Sequence, residues 1–195
     1  MNSVEYYNVN AESFFNRTIK TDMEALYQKF LPFLVPNAKI LDAGCGVGRD
    51  AKHFLNLGYN VTLFDASKEM VRISSEQTGK AALLLNFNDI DFISEFDAVW
   101  ANFSLIHVPY KDTAAILFKI HTALKPDGIF YASYKYGDQK MEVVNRVFYN
   151  MNEVMIKEYI KDLFEIIEIW KSPDTTSKVA PSPSKARLNI LMRKI

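Results

Sequence analysis

Two periodicities take turns along this chain. Apolar side chains at Met23, Leu26, Tyr27, Phe30 and Leu31 recur every three or four positions, the spacing of one helical face. Aromatic residues repeat earlier at Tyr6, Tyr7, Phe14 and Phe15, so residues 3–31 are predicted to be helical. Thr21 or Asp22 is placed to cap the second helix there, and Pro32 and Pro36 to end it. From Lys39 onward the pattern changes. Short apolar runs predict strands at 39–42, 59–64, 81–85, 96–101 and 128–134. Between them, helical spacing predicts helices at 49–57, closed by Gly58, at 67–77, capped by Ser67, and at 111–124, stopped by Pro126. A helix at 152–163 with Asn152 as its cap is followed by strands at 164–170 and 188–193.

Strands alternating with helices predict parallel βαβ units covered by helices on both faces. The last two strands have no helix between them. The segment SPDTTSKVAPSPSKA joins them and is rich in Ser, Pro and Thr, so it is predicted to be a loop that closes an antiparallel pair. The expected architecture is α/β: a doubly wound, mostly parallel seven-stranded sheet with an antiparallel terminal strand.

Composition narrows the picture. At 195 residues, with 49% hydrophobic and 24% charged positions, the chain is expected to form one domain over residues 1–195. Lys plus Arg balances Asp plus Glu at 23 each, so no global field draws the protein to nucleic acid or to an anionic membrane. Cys45 stands alone, which rules out an internal disulfide and a cysteine-based zinc site and fits a reducing compartment. The start, MNSVEYYNVN, lacks a basic-then-apolar layout, and no apolar run approaches the roughly 18 residues of a membrane span. A cytoplasmic protein without a membrane partner is expected.

The chemistry concentrates in ILDAGCGVGRD, residues 40–50. A strand ends at Asp42, and Gly44 to Gly48 turn into a helix. Glycines let the backbone approach a ligand, and the helix start offers unpaired N–H groups. Asp65 ends the next strand, nineteen positions after Gly46. A carboxylate there suits a ribose diol, whose two hydroxyls both donate. The dinucleotide fingerprint is G-x-G-x-x-G, whereas this chain has G-x-G-x-G. Asp42 would also repel a pyrophosphate, and it suits a cationic ligand instead.

The run ILDAGCGVGRDAKHFLNLGYNVTLFDAS closely resembles the first motifs of class I S-adenosylmethionine-dependent methyltransferases. The resemblance continues through FDAVWANFSLIHVP and LKPDGIFYASY and covers roughly residues 5–135. The opening YYNVNAESFFNRT looks like the lid segment of small bacterial members, including relatives of the tellurite-resistance methyltransferases. The resemblance implies a Rossmann-like core over 37–195, an N-terminal helical lid over 1–31, and S-adenosylmethionine as cofactor. It implies roles for residues too. Asp42, Ala43, Gly44, Cys45 and Gly46 border the amino-acid end of the cofactor. Asp65 binds the ribose hydroxyls, with Ala66 and Met70 near the adenosine. Asn86, Phe87 and Asn88 lie at the adenine, and Ala101 and Ser104 approach the methionine part. Arg49 holds either the lid or the cofactor carboxylate, and Tyr6, Tyr7 and Thr18 close over the site.

Other residues have simpler readings beside the chemical ones. Cys45, between two glycines, reads as a small packing residue rather than a nucleophile. His53 and His121 lie in helix patterns. His107 follows a strand end and reads either as a loop anchor or as a base facing the substrate, the one candidate catalytic residue. The histidines are too scattered to suggest a metal site. Lys135, Tyr136, Lys140 and Arg146 form a basic stretch, read as a solvated loop or as the place where an anionic substrate group enters. Asp97 starts a strand at the end away from the site and reads as structural. No N-P-P-[YF] signature follows the fourth strand, where WANFSL stands, so DNA adenine is a poor acceptor candidate. The expected function is methyl transfer to a small molecule or a metalloid oxyanion. The alternatives are a non-catalytic S-adenosylmethionine-binding regulator, a methyltransferase acting on protein or RNA, and a nucleotide-dependent oxidoreductase.

Overall fold

A computed structural model describes residues 2–173 and 186–195. Three short helices open the chain: α1 (Ser3–Val9), α2 (Ala11–Thr18) and α3 (Glu24–Phe30), the last followed by a 3₁₀ turn over Leu31–Phe33. Then come β1 (Lys39–Ala43), α4 (Arg49–Asn56), β2 (Asn60–Asp65), α5 (Lys68–Thr78), β3 (Leu83–Leu84), β4 (Phe96–Ala101), α6 (Tyr110–Ala123) and β5 (Leu124–Lys135). A hairpin of β6 (Lys140–Val143) and β7 (Arg146–Tyr149) precedes α7 (Glu153–Ile160), β8 (Phe164–Pro173) and β9 (Ala186–Lys194).

The seven-stranded sheet has the order β3-β2-β1-β4-β5-β9-β8. Pairs from β3 to β5 are parallel, and β9, the terminal strand of the chain, runs antiparallel between β5 and β8. Strand order reverses between β1 and β4, which opens a crevice beyond their carboxyl ends. Alternation along the strands separates two cores. Leu41, Ala43, Phe64, Val99, Ala101 and Phe130 pack with α6 and α7 on one face. Ile40, Leu63, Ala98, Trp100 and Tyr131 pack with α3 and α4 on the other. Trp100 stacks on Tyr131 at 4.1 Å and meets Phe30 at 4.9 Å, fixing α3 to the sheet through contacts of about 0.5–1.5 kcal/mol each.

Ser67 and Asn152 cap α5 and α7 as expected, accepting from Met70 N and Met155 N. The structure corrects other expectations. No side chain caps α3; Asp22 instead accepts from Glu24 N at 2.8 Å, just outside its first turn. Pro126 does not stop α6, which ends at Ala123 and passes directly into β5. Pro126 lies inside β5, where pairing with β4 skips from Phe96↔Leu124 to Ala98↔Ile129 and Asp127 takes a positive φ. A residue with no N–H fits such a bulge. The stretch after β5, read as a loop, contains the β6–β7 hairpin. Of the connection predicted at 172–186, residues 174–185 lie outside the described residues, and Ser172, Pro173 and Ala186 are strand residues. Asp97 is structural: it accepts from Lys39 N and Lys125 Nζ, both at 2.7 Å, at the sheet end opposite the crevice. Among the described residues no helix is long and apolar enough to cross a membrane.

Candidate functional site

Backbone geometry at the β1–α4 turn creates the floor of the site. Gly44 has φ +74, and a Cβ there would stand 2.5 Å from Ser104 Cβ. Only glycine lets the turn meet the loop after β4, and Ser104 Oγ seals the contact by donating to Ala43 O at 2.6 Å. Gly48, φ +79, is the N-cap of α4, and a Cβ would press on Ser74 at 2.9 Å, so α4 and α5 pack closely. The result is a cavity of about 1010 Å³ at the carboxyl ends of β1, β2, β4 and β5.

Three acids surround its glycine turn. Asp42 is almost fully buried, and its Oδ2 has no hydrogen-bond partner among the described residues. Burial, together with repulsion from Asp50, pushes its carboxyl well above the usual range. Asp50 is buried too but well supplied. It accepts from Tyr27 Oη (2.6 Å), Arg49 Nε (2.7 Å), Arg49 Nη2 (3.0 Å), Trp100 Nε1 (2.9 Å) and Asn102 Nδ2 (3.0 Å). Burial alone would raise its carboxyl; the Arg49 guanidinium and the neutral donors hold it far below the usual range. Asp65 accepts from Gly46 N and Ser67 N, both at 2.9 Å, while burial raises its carboxyl.

The N-terminal helices are tied over this floor. Arg49 Nη1 donates to Thr18 O at 3.3 Å, and Ser67 Oγ donates to Asn8 Oδ1 at 2.7 Å. Val147 N donates to Ser3 Oγ at 3.2 Å, joining α1 to the hairpin. His107 sits between the same two elements. Its Nδ1 lies 2.7 Å from Val147 O, which only accepts, so Nδ1 carries the proton. Nε2 then accepts from Tyr7 Oη at 3.0 Å. Burial, with Arg146 and Lys135 nearby, brings this imidazole down to about 4, so it is neutral at pH 7.

Residues 41–132 match the family described as "Methyltransferase domain". That match takes in the glycine turn and supports a resemblance to the class I S-adenosylmethionine-dependent methyltransferases. The chain is 31% identical over 106 residues to a ubiquinone biosynthesis O-methyltransferase of Xanthomonas campestris pv. campestris, a match covering 51% of this chain and 44% of the relative. The chain therefore spans less than half the length of that relative. It is 28% identical over 182 residues, 88% of this chain and 70% of the relative, to a carboxy-S-adenosyl-L-methionine synthase of Campylobacter fetus. Among solved structures it shares its fold with 1,6-didemethyltoxoflavin-N1-methyltransferase of Burkholderia thailandensis, with a TM-score of 0.79 and 23% identity over 98% of this chain and 86% of that one. That neighbour holds 1,6-didemethyltoxoflavin and S-adenosylhomocysteine.

Most residues singled out from the sequence line this cavity: Tyr7, Thr18, Asp42, Gly44, Cys45, Gly46, Arg49, Asp65, Ala66, Met70, Asn86, Phe87, Asn88, Ser104 and His107. Ala43 and Ala101 do not. Both are fully buried in the core beneath its wall. Tyr6 is buried, its ring edge-on to Tyr7. Asn86 caps the 3₁₀ turn Phe87–Asp89, accepting from Asn88 N at 3.4 Å, and Phe87 meets Phe64 edge to face. Burial pushes the Cys45 thiol well up, so it is no ready nucleophile. His53 stacks on Tyr27 at 3.9 Å and His121 contacts Ile195 O at 3.1 Å; neither lines the cavity. Lys135 and Arg146 of the basic stretch line it, whereas Tyr136 and Lys140 do not. Asp50, Asn102, Phe103 and Arg187 also line it and were not foreseen. Asp50 had a signal, an acid in the first turn of the helix after the glycines; Arg187 had none.

Proposed function

We propose that this protein transfers a methyl group from S-adenosylmethionine to a small-molecule acceptor. One observation carries the reading: Asp42 brings a buried carboxylate oxygen, without a partner among the described residues, to the wall of the cavity, directly before the glycine turn. An ammonium group satisfies that oxygen and a pyrophosphate repels it, which favours an amino-acid-bearing cationic cofactor over a dinucleotide. The other lining groups fit the same molecule. Each Asp65 oxygen accepts one backbone N–H and keeps a lone pair for a ribose hydroxyl. Phe87 gives the adenine a flat apolar wall.

When bound, S-adenosylmethionine supplies the activated methyl group. Asp42, Asp65 and the glycine turn would hold the cofactor, and its sulfonium methyl would be offered to the acceptor's lone pair. The chain's own residues orient the partners and exclude water, with α1 and α2 acting as a lid. His107 serves as the anchor of that lid, because its Nε2 lone pair is already engaged by Tyr7. An acceptor that is nucleophilic at neutral pH needs no base. The names of the Xanthomonas and Burkholderia relatives support a small-molecule acceptor. A metalloid oxyanion stays within the class on the weaker resemblance to tellurite-resistance relatives.

Calorimetric titration with S-adenosylhomocysteine, with NAD as control, tests the reading. Binding of S-adenosylhomocysteine alone is expected, weakened about tenfold or more in Asp65→Ala. Binding of NAD alone, or an unchanged affinity in a folded Asp65→Ala, would defeat the assignment.

A further inference from the structure

The lining of the cavity divides by charge. Asp42, Asp50 and Asp65 surround the glycine turn, and the Arg49 guanidinium among them is bound to Asp50. Lys135, Arg146 and Arg187 enter the lining from β5, β7 and β9, and Arg17 of α2 enters it separately, 5.8 Å from the Phe14 ring. Asp112, in the first turn of α6, is the remaining lining carboxylate. Each of the cations lies against an aromatic ring. Lys135 Nζ is 4.5 Å from the Phe148 centroid, Arg146 is 5.1 Å from the same ring and 4.5 Å from Tyr6, and Arg187 is 4.1 Å from Phe103. Buried Nε of Arg146 has no hydrogen-bond partner among the described residues, while the guanidinium also meets the Tyr7 hydroxyl. Leaving a buried charged donor unsatisfied is costly, so an acceptor atom on a ligand is favoured there.

Phe103 adds a second, independent observation. Its φ is +60, a conformation that strains a non-glycine residue and persists only where the surroundings over-determine it. Those surroundings are visible. Phe103 N donates to Ser133 Oγ at 2.9 Å, Ser133 Oγ donates to Asn102 Oδ1 at 2.9 Å, and Asn102 Nδ2 donates to Asp50. The same chain of hydrogen bonds that anchors the cofactor end thus fixes an aromatic wall of the cavity.

Given the methyl-transfer reading, we propose that the acceptor is a small aromatic acid, its anionic group held by Arg146 in the field of Lys135 and Arg187 and its planar body lying along Phe103 and Phe148. Aromatic walls favour a flat apolar body, and a guanidinium favours a carboxylate it can bond directly.

Protein saturated with S-adenosylhomocysteine is titrated calorimetrically with benzoate, 1-naphthoate and indole-3-carboxylate, and with the matching carboxamides. At least one acid is expected to bind about tenfold tighter than its amide. Arg146→Gln is expected to abolish that preference. Lys135→Gln, on the central sheet, is expected to reduce it by about threefold and serves if the hairpin variant does not fold. Acids and amides that bind alike, acids that do not bind, or a preference that survives both substitutions overturn the acceptor class alone. Failure of S-adenosylhomocysteine to bind at the outset overturns the methyl-transfer reading beneath it.

Discussion

At the glycine-turn end of the cavity, the groups that meet are close in sequence or sit at adjacent strand ends. Asp42 to Asp50 lie within one βα unit, and Asp65 ends the neighbouring strand. At the other end, His107, Lys135, Arg146 and Arg187 come from four separate segments, and Tyr7 reaches them across 100 residues. The first end is held by a buried polar network, the second by rings, cations and a hairpin laid over the sheet. A βα turn can be positioned by its own glycines and helix. The opposite wall exists only after the sheet, the hairpin and the N-terminal helices have assembled.

The most severe test of that contrast is Asp50→Ala. It leaves Arg49 buried without its carboxylate and removes acceptors from Tyr27, Trp100 and Asn102. Breaking a buried pair in this way costs about 3–5 kcal/mol, read as a lower midpoint in urea unfolding. The pH dependence has a definite sign. Because the folded Asp50 carboxyl lies below its unfolded value, its contribution is present above the unfolded value and is lost as the pH falls through the folded one. A variant that unfolds at the wild-type midpoint would mean that the network does not hold this end.

Asp42→Asn separates binding from stability. The folded Asp42 carboxyl lies above its unfolded value, so the charged form opposes folding at neutral pH, and wild-type protein recovers stability as the pH is lowered through the folded value. The amide variant is therefore expected to be as stable as wild type or more so at pH 7, while S-adenosylhomocysteine affinity falls about thirtyfold. If unfolding and affinity both stay unchanged, Asp42 does not meet the ammonium group.

The contrast also explains what could be read in advance. The alternation of strands and helices, the caps at Ser67 and Asn152, and the placement of Asp42, Gly44, Gly46 and Asp65 around one cavity follow from local patterns. Pro126 misled because a proline after a helix also fits a bulge in the strand that follows. Ala43 and Ala101 misled because strand ends alternate, and these two point into the core. The β6–β7 hairpin was missed because its outer face is exposed and charged, with Lys140 and Glu142 interrupting any apolar alternation. Arg187 belongs to a strand whose neighbour across the sheet end is set by topology, and no local pattern announces that it reaches the cavity.

A smaller effect is expected where the two ends are joined. Tyr7→Phe removes the hydroxyl that His107 Nε2 accepts, leaving α1 held by Asn8, Ser3 and packing. A net hydrogen bond of about 1 kcal/mol corresponds to a loss of roughly fivefold in S-adenosylhomocysteine affinity if the lid closes over the cofactor. Hydrogen exchange should quicken in α1 and not in β1 or β4. The folded imidazole lies near 4, below its unfolded value, so its contribution is present above the ordinary histidine range and is lost as the pH falls toward about 4. Affinity that is indifferent to this substitution would detach the lid from the cofactor site.

The smallest effect lies at the turn of the hairpin. Val144 and Asn145 both have positive φ, 48° and 60°, the pattern of a two-residue turn that suits asparagine and glycine. Asparagine at 145 fits; a β-branched side chain at 144 does not, and Val144 is exposed, so packing does not hold it there. Val144→Asn should therefore relieve strain without removing a buried contact, stabilising the hairpin by about 0.5–1 kcal/mol. Hydrogen exchange is the decisive measurement. If the hairpin is secured mainly by its neighbours, amides of β6 and β7 gain protection while those of β1 and β4 stay as they were. Protection that rises equally in all four strands would show the hairpin unfolding only with the sheet, and the two ends of the cavity would then be one cooperative unit rather than two.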